Sequence, residues 1–341
     1  MRKEKYYRRI RRSFVVGIFL ALILFFVSLL VGRYSLSPGE VLDILCGGYP
    51  GNDKTVQSMV VWDVRLPRVL LAAVTGAGLA AAGSAYQGIF HNYLVSPDLL
   101  GVSNGAGFGA ALGMFLTAGS TRWAGVLAFV FGLGSVALTY GISSMKKEQS
   151  AMTLVLSGVI VSSVFNALIA LIKLAADTDS VLPAITYWLM GSFTGADYRE
   201  CAIAGGAVVS GGIVLYMMRW RINVLSMGDE EARSLGLHPE RERLVIVVAS
   251  TFITAACVTV SGIVGWVGMV MPNIVRRMIG ADHRYLIPVS AIGGAVFLMA
   301  ADLGARSISA GEIPVGILTA LVGAPVFVLV FAGKDGKPCS S

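Results

Sequence analysis

The chain has 341 residues, 55% of them hydrophobic and only 14% charged. A soluble domain carries about 25% charged residues, so this composition excludes one. The 27 Lys and Arg against 20 Asp and Glu give a net charge of +7, which calls for no nucleic-acid partner because cations collect on the cytosolic side of membrane proteins.

Charges fall in short islands between apolar runs. Those runs are long enough for a ~30 Å hydrocarbon core, which takes about 20 helical residues. They are continuous rather than alternating, against a β-barrel. The 41 glycines suit close helix–helix approach in lipid. The expectation is an all-α integral membrane protein with ten spans: 14–33, 64–84, 97–117, 123–143, 152–173, 199–218, 243–262, 264–279, 286–306 and 314–333.

The first run, Phe14 to Val31, follows a basic head of seven cations and has no small-residue cleavage site before Arg33 and Tyr34. It reads as a retained span rather than a signal peptide. Residues 1–13 are then a basic cytosolic N-terminus, 14–333 a single transmembrane domain and 334–341 a cytosolic tail. A cytosolic N-terminus puts 19 of the 27 Lys and Arg inside. These are the head, Lys146, Lys147, the five between Arg219 and Arg243, Arg276, Arg277, Arg284, Lys334 and Lys337. Arg33, Lys54, Arg65, Arg68, Arg122, Lys173, Arg199 and Arg306 stay outside. Ten spans put both termini inside. Trp188 and Tyr198 fit an interfacial belt.

Arg65-Leu66-Pro67-Arg68 opens the second span on the outer face, and Arg306 ends the ninth there. Outer cations go against the charge bias. They call either for snorkelling to headgroups or for acidic groups on an external partner. The block from Gly83 to Gly107 reads as a helix end, a turn and a glycine-rich helix start. Ser96 can cap, Pro97 fits the first turn and Asp98 suits the positive dipole end. Gly101, Gly105 and Gly109 form one small stripe, either a packing face or a pore-lining seam that also includes Ser103.

Leu225 to His238 is a polar, helix-capable stretch on the cytosolic side. Glu230 and Glu231 stand near its start and Arg233 further on, as the helix dipole favours, and Gly236 stops it before Pro239. Leu225, Met227, Ala232, Leu235 and Leu237 give it a small apolar face that could seat in a groove on another protein. In Ser261 to Arg277, Gly262, Gly265 and Gly268 let the chain bend, and Pro272, followed by Asn273, kinks or breaks the eighth span. Glu312-Ile313-Pro314-Val315-Gly316 restarts a helix, and Pro325 sits inside the last span.

No GxxxxGK[ST] loop occurs, so ATP hydrolysis by that route is not expected in this chain. Asp302 is the main acid within a span, which leaves little for the proton relay of a secondary transporter. An intramembrane enzyme would need a nucleophile–base pair or HExxH, and neither is present. His91, His238 and His283 are far apart and read as solvated or capping side chains rather than metal ligands. Four scattered cysteines, Cys46, Cys201, Cys257 and Cys339, indicate neither a disulfide framework nor a zinc site.

Eight blocks, taken together and in order, resemble the FecCD permease family, the membrane subunits of type II ABC importers for ferric siderophores, haem and cobalamin. They are Arg65 to Arg68, Asn92 to Ser103, Met190 to Phe193, Gly228 to Leu237, Gly265 through Pro272 to Arg276, Asp302 to Arg306, Ile313 to Gly316, and Gly323 to Pro325. The resemblance covers nearly all of the chain after Leu36. It implies ten spans with cytosolic termini, a second permease copy or paralogue, two ATP-binding subunits that carry ATP and Mg²⁺, and an external substrate-binding protein. It implies a bacterial or archaeal cytoplasmic membrane, with no cofactor in this chain and a ferric siderophore as the favoured cargo, haem or cobalamin being the alternative. It matches the family's coupling helix to Met227, Gly228, Glu230, Glu231, Ala232, Arg233, Leu235 and Gly236. It matches the outer arginines that meet binding-protein glutamates to Arg65, Arg68 and Arg306. Path or gate positions fall on Ser96, Pro97, Gly101, Ser103, Gly105, Gly265, Gly268, Pro272 and Asn273. Two departures stand out: Tyr93 where the family commonly has Pro, and Asn273 where it commonly has His.

Overall fold

Hydrocarbon offers the backbone no hydrogen-bond partners, so each span must close its own ladder. The computed structural model describes residues 2–47, 55–120, 123–145, 151–308 and 311–332. Among these there is no strand. Lys54, Arg122, Lys146, Lys147, Lys334, Lys337, Cys339 and the 334–341 tail lie outside the described residues.

Helix α1 runs Arg2–Leu30 without a break, so the basic head continues the first span as helix instead of standing apart from it. Ser37 and Glu40 form a reciprocal cap on α2, Pro38–Cys46. Helix α3, Val56–Met59, passes through a π-helical segment, Val60–Arg65, into α4, Leu66–Ile89. A 3₁₀ turn, Pro97–Leu100, leads to α5, Val102–Leu116. Then come α6 Ala124–Ser144, α7 Ala151–Ala175, α8 Val181–Leu189, α9 Tyr198–Met217, α10 Arg219–Leu225, α11 Asp229–Ser234, α12 Pro239–Ser261, α13 Val267–Ile279, α14 His283–Ile308 and α15 Val315–Ala332.

Seven of these stretches are long and apolar enough to cross a membrane: Glu4–Leu30, Val56–Ile89, α6, α7, α9, α12 and α14. The shorter apolar α5 and α15, with the thirteen-residue α13, bring the total to the ten expected. Helices α2, α8 and α10 are additions that no span pattern announces.

Helix α4 is the centre of the core. Nineteen of its 24 residues are buried, against α14, α9, α12 and α13. Its contact with α14 is backbone on backbone: a Cβ on Gly76 would lie 2.2 Å from the Gly294 carbonyl oxygen. Such approach is how helices gain dispersion contact where lipid supplies no hydrophobic drive.

Two small clusters mark opposite ends of the bundle. At one, Ile10 of α1 packs with Val275, Ile279, Leu286 and Val289, and Tyr6 and Tyr7 meet Tyr285 edge-on. At the other, Leu29 packs with Leu36, Val41 and Val61. The basic head, α10 and α11 belong to the first end, which the distribution of cations makes cytosolic.

Candidate functional site

At the cytosolic end α10, α11 and the start of α12 form one unit. Gly228 enters α11 at φ 137°, a conformation only glycine adopts easily. Gly236 leaves it at φ 80°, where the Leu237 amide donates to Ala232 O at 3.0 Å and the Gly236 amide to Arg233 O at 3.0 Å. That pair of bonds is the left-handed glycine stop read from the sequence. Ala232 is wholly buried in the main core, alongside Ile222, Leu225 and Ile246.

Two ion pairs fix α11 to α12. The buried Arg243 donates to Asp229 at 2.6 Å, and the exposed Arg233 to Glu240 at 2.7 Å. The exposed pair is worth under about 1 kcal/mol; removing one partner of the buried one costs roughly 3–5 kcal/mol. Met227 and Leu235 remain 66% and 56% exposed, with Glu230, Glu231 and Ser234 also in solvent. A short helix anchored from below thus presents an apolar and acidic surface to the cytosol.

Beside it lies a second cluster. His91 at the end of α4 meets Leu225 O of α10. Asn273 donates from Nδ2 to Tyr93 O and to Met269 O, both at 2.8 Å. Arg276 donates to Asn273 Oδ1 at 3.0 Å and to Gln87 Oε1 at 2.8 Å, with its guanidinium 4.0 Å over the Tyr93 ring. The two positions at which the sequence departs from the common pattern therefore touch each other. Gln87, a polar residue inside an otherwise apolar run, was the signal for this cluster that the motif blocks passed over.

The glycine-rich segment is not one continuous helix. Ser96 makes no side-chain cap, and the expected 97–117 helix is interrupted by Gly101 at φ 89°. The Ser103 hydroxyl instead bonds Asp98. A Cβ on Gly105 would lie 2.5 Å from Phe131 O, and one on Gly109 2.2 Å from Leu127 O. The place of a Cβ on both glycines is filled by the backbone of α6, so at these two positions the stripe is a packing seam. Gly268 packs on Leu79 O of α4 and on Pro97, and Pro272 is buried inside α13. Gly265 has open space where a Cβ would go.

The outer arginines are buried rather than standing in solvent. Arg65, Arg68 and Arg306 are 3%, 7% and 8% exposed, whereas the sequence pointed to snorkelling or to acidic groups on an external partner. Arg65 donates to the Leu29 and Leu30 carbonyls at 2.6 and 2.9 Å and to Tyr34 O, and Arg306 donates to Ser28 O. Together they close the C-terminal end of α1. Arg68 bonds Asp302 at 2.9 Å and Glu312 at 3.0 Å, and Arg306 stands 3.7 Å from Asp302. All three guanidinium groups thus bond within the chain, Arg65 to carbonyls, Arg306 to a carbonyl beside Asp302, and Arg68 to two carboxylates.

Next to them three chain breaks meet. The Ser192 amide donates to Ser261 O at 2.8 Å, the Val315 amide to Gly191 O at 2.9 Å, and the Gly316 amide to Met190 O at 3.1 Å. A Cβ on Gly262 would sit 2.3 Å from Trp188 O, and one on Gly316 2.2 Å from Met190 O. The ends of α8 and α12 and the start of α15 are thereby joined. Burial pushes the Glu312 carboxyl up, but the Thr194 hydroxyl and the Arg68 cation outweigh it and hold it below the usual range.

A family model described as the FecCD transport family matches residues 20–332. The chain belongs to that family. The molybdate import system permease protein MolB of Haemophilus influenzae is 38% identical over 91% of this chain and 92% of its own length. The cobalamin import system permease protein BtuC of Halobacterium salinarum is 37% identical over 84% of this chain and 76% of its own. An ABC transporter assigned to the metal-chelate type, solved in an inward-facing conformation, superposes with a TM-score of 0.85 at 36% identity, over 94% of this chain and 99% of that one. The fold is thus that of an ABC importer permease, and this FecCD chain is a multi-span membrane permease with a transport role.

Among its described residues no group of three or more His, Cys, Asp or Glu could hold a metal ion. His283 is buried and bonded to Asn223 and Ser84 O, so it serves packing. Asp229 and Arg243, the buried half of the clamp, escaped the motif reading because fourteen residues separate them.

Proposed function

We propose that this chain is the permease of an ATP-driven importer that takes a metal-bearing solute from an external binding protein across the cytoplasmic membrane of a bacterium or archaeon. Two ATP-binding subunits carry the nucleotide and Mg²⁺, and a second permease copy or paralogue completes the path. The observation that carries this reading is the helix α11, buried at Ala232 and clamped to α12 while Met227 and Leu235 stand clear. Force applied there passes through Arg243 into a helix that runs the depth of the membrane. Inward of it, the Tyr93–Asn273–Arg276 cluster is the part of the path closest to that motion.

A ferric siderophore is the favoured cargo. A second reading, molybdate, rests on the MolB likeness. Titration of the neighbouring binding protein with a ferric siderophore, haem, cobalamin and molybdate separates these, with tight binding of the siderophore expected. For the importer itself, Leu235→Cys in a reconstituted complex should cross-link to the ATPase subunit, and Ala232→Glu should abolish ATP-driven uptake. Uptake by the permease alone in liposomes would refute the reading.

A further inference from the structure

Outside the cytosolic lever, one polar chain is continuous across several elements. Tyr187 Oη of α8 lies 3.4 Å from the Ser192 hydroxyl, which donates to Thr194 Oγ1 at 2.9 Å. Thr194 donates to Glu312 Oε2 at 2.8 Å, and the same oxygen accepts from Arg68 Nη1 at 3.0 Å. Arg68 passes the chain to Asp302 of α14. Through these bonds Glu312 joins the loop after α8 to the α4–α14 pair.

Glu312 also has φ 47°, a left-handed conformation that a non-glycine residue adopts only when its surroundings hold it there. Phe193, 1% exposed, anchors the middle of the same loop in the core, while the amides of Val315 and Gly316 tie α15 to it. Helix α8 is too short to span and sits at the external end, with exposed Tyr187. Val181 and Ile185 pack it on α5, and this junction holds its C-terminal end.

We propose that Glu312 is a positioning residue that ties α8 to the α4–α14 pair and keeps the external mouth closed until the outer face is engaged. This rests on the importer reading for its transport consequence but not for the tie itself. The arginines that cap α1 and pair with Asp302 stand on the α4–α14 side of the tie, so displacement of that pair from outside reaches the loop after α8 through the Glu312 carboxylate.

Two measurements test it, with Thr194→Val, Glu312→Gln and Glu312→Ala. The first uses the permease with its ATPase and binding protein in nanodiscs. Thr194→Val and Glu312→Ala should raise ATPase activity without binding protein roughly tenfold, about what losing one hydrogen bond to a charged group shifts. Glu312→Gln, which keeps a hydrogen bond to Thr194, should fall between them and the parent. The ratio of activity with to without binding protein should drop, a readout that mere loosening of the fold would not move. The second uses the chain alone, with Cys46 and Cys201 replaced and Tyr187→Cys added. Labelling from the external side by a membrane-impermeant thiol reagent should quicken in the same order. Parent-like labelling and parent-like basal ATPase in Thr194→Val, an exposed and conservative change, overturn the proposal even if Glu312→Ala fails to assemble. A parent complex with no stimulated ATPase refutes the importer reading, and the labelling series then decides the tie by itself.

Discussion

Gly316 has no side chain because the Met190 carbonyl oxygen occupies the place of its Cβ, at 2.2 Å. Gly205, in α9, has nothing within 4 Å of that place. Alanine at 316 forces two backbones apart, at about 1–3 kcal/mol for overpacking; alanine at 205 spares a helix roughly 1 kcal/mol of glycine's cost. Thermal unfolding in detergent should therefore lower Tm for Gly316→Ala and hold or raise it for Gly205→Ala. At this scale the sequence is half readable. Arg65, Arg68 and Arg306 announce themselves as outer cations, but not what they bond. Asp302 lies 234 residues from Arg68, and the carbonyls that Arg65 takes belong to a helix end whose partners no local pattern names.

Helix α11 is the element in which local code and structure agree best. Acidic residues at the start, Gly236 at the stop and Pro239 after it are all short-range signals, and α11 lies where they put it. Its attachment is the long-range part. Asp229→Asn should keep the fold but loosen α11, because Arg243 loses its counter-charge while staying buried. In the assembled transporter that change should lower uptake per ATP hydrolysed several-fold, because the amide still accepts a hydrogen bond from Arg243 and only the charge assistance is lost. Glu240→Gln at the exposed pair should change it little. Elsewhere the signals misled. Ser96-Pro97-Asp98 reads as a helix start and does begin one turn, but left-handed Gly101 resets the direction before α5. Helix α8 is nine residues, below the length at which span periodicity speaks.

For the molecule as a whole, the ten crossings are legible because lipid dictates their length and polarity. Which helices pair is not, because glycine contacts such as Gly76 with Gly294 specify closeness without specifying a partner. Orientation rests on cation distribution and on the two end clusters. Cysteine placed at Ser234 should react with an impermeant thiol reagent only from the cytosolic side, and cysteine at Asp179 only from the external side; the reverse pattern would invert the whole assignment.

The end of α1 near residues 28–30 is held by two distant parts of the bundle at once. Arg65 takes the Leu29 and Leu30 carbonyls and Arg306 takes that of Ser28, so the approach to α4 and the far end of α14 share one anchor. A pull on either is felt at the rim of the first span, which makes that rim a stiff corner rather than a loose end.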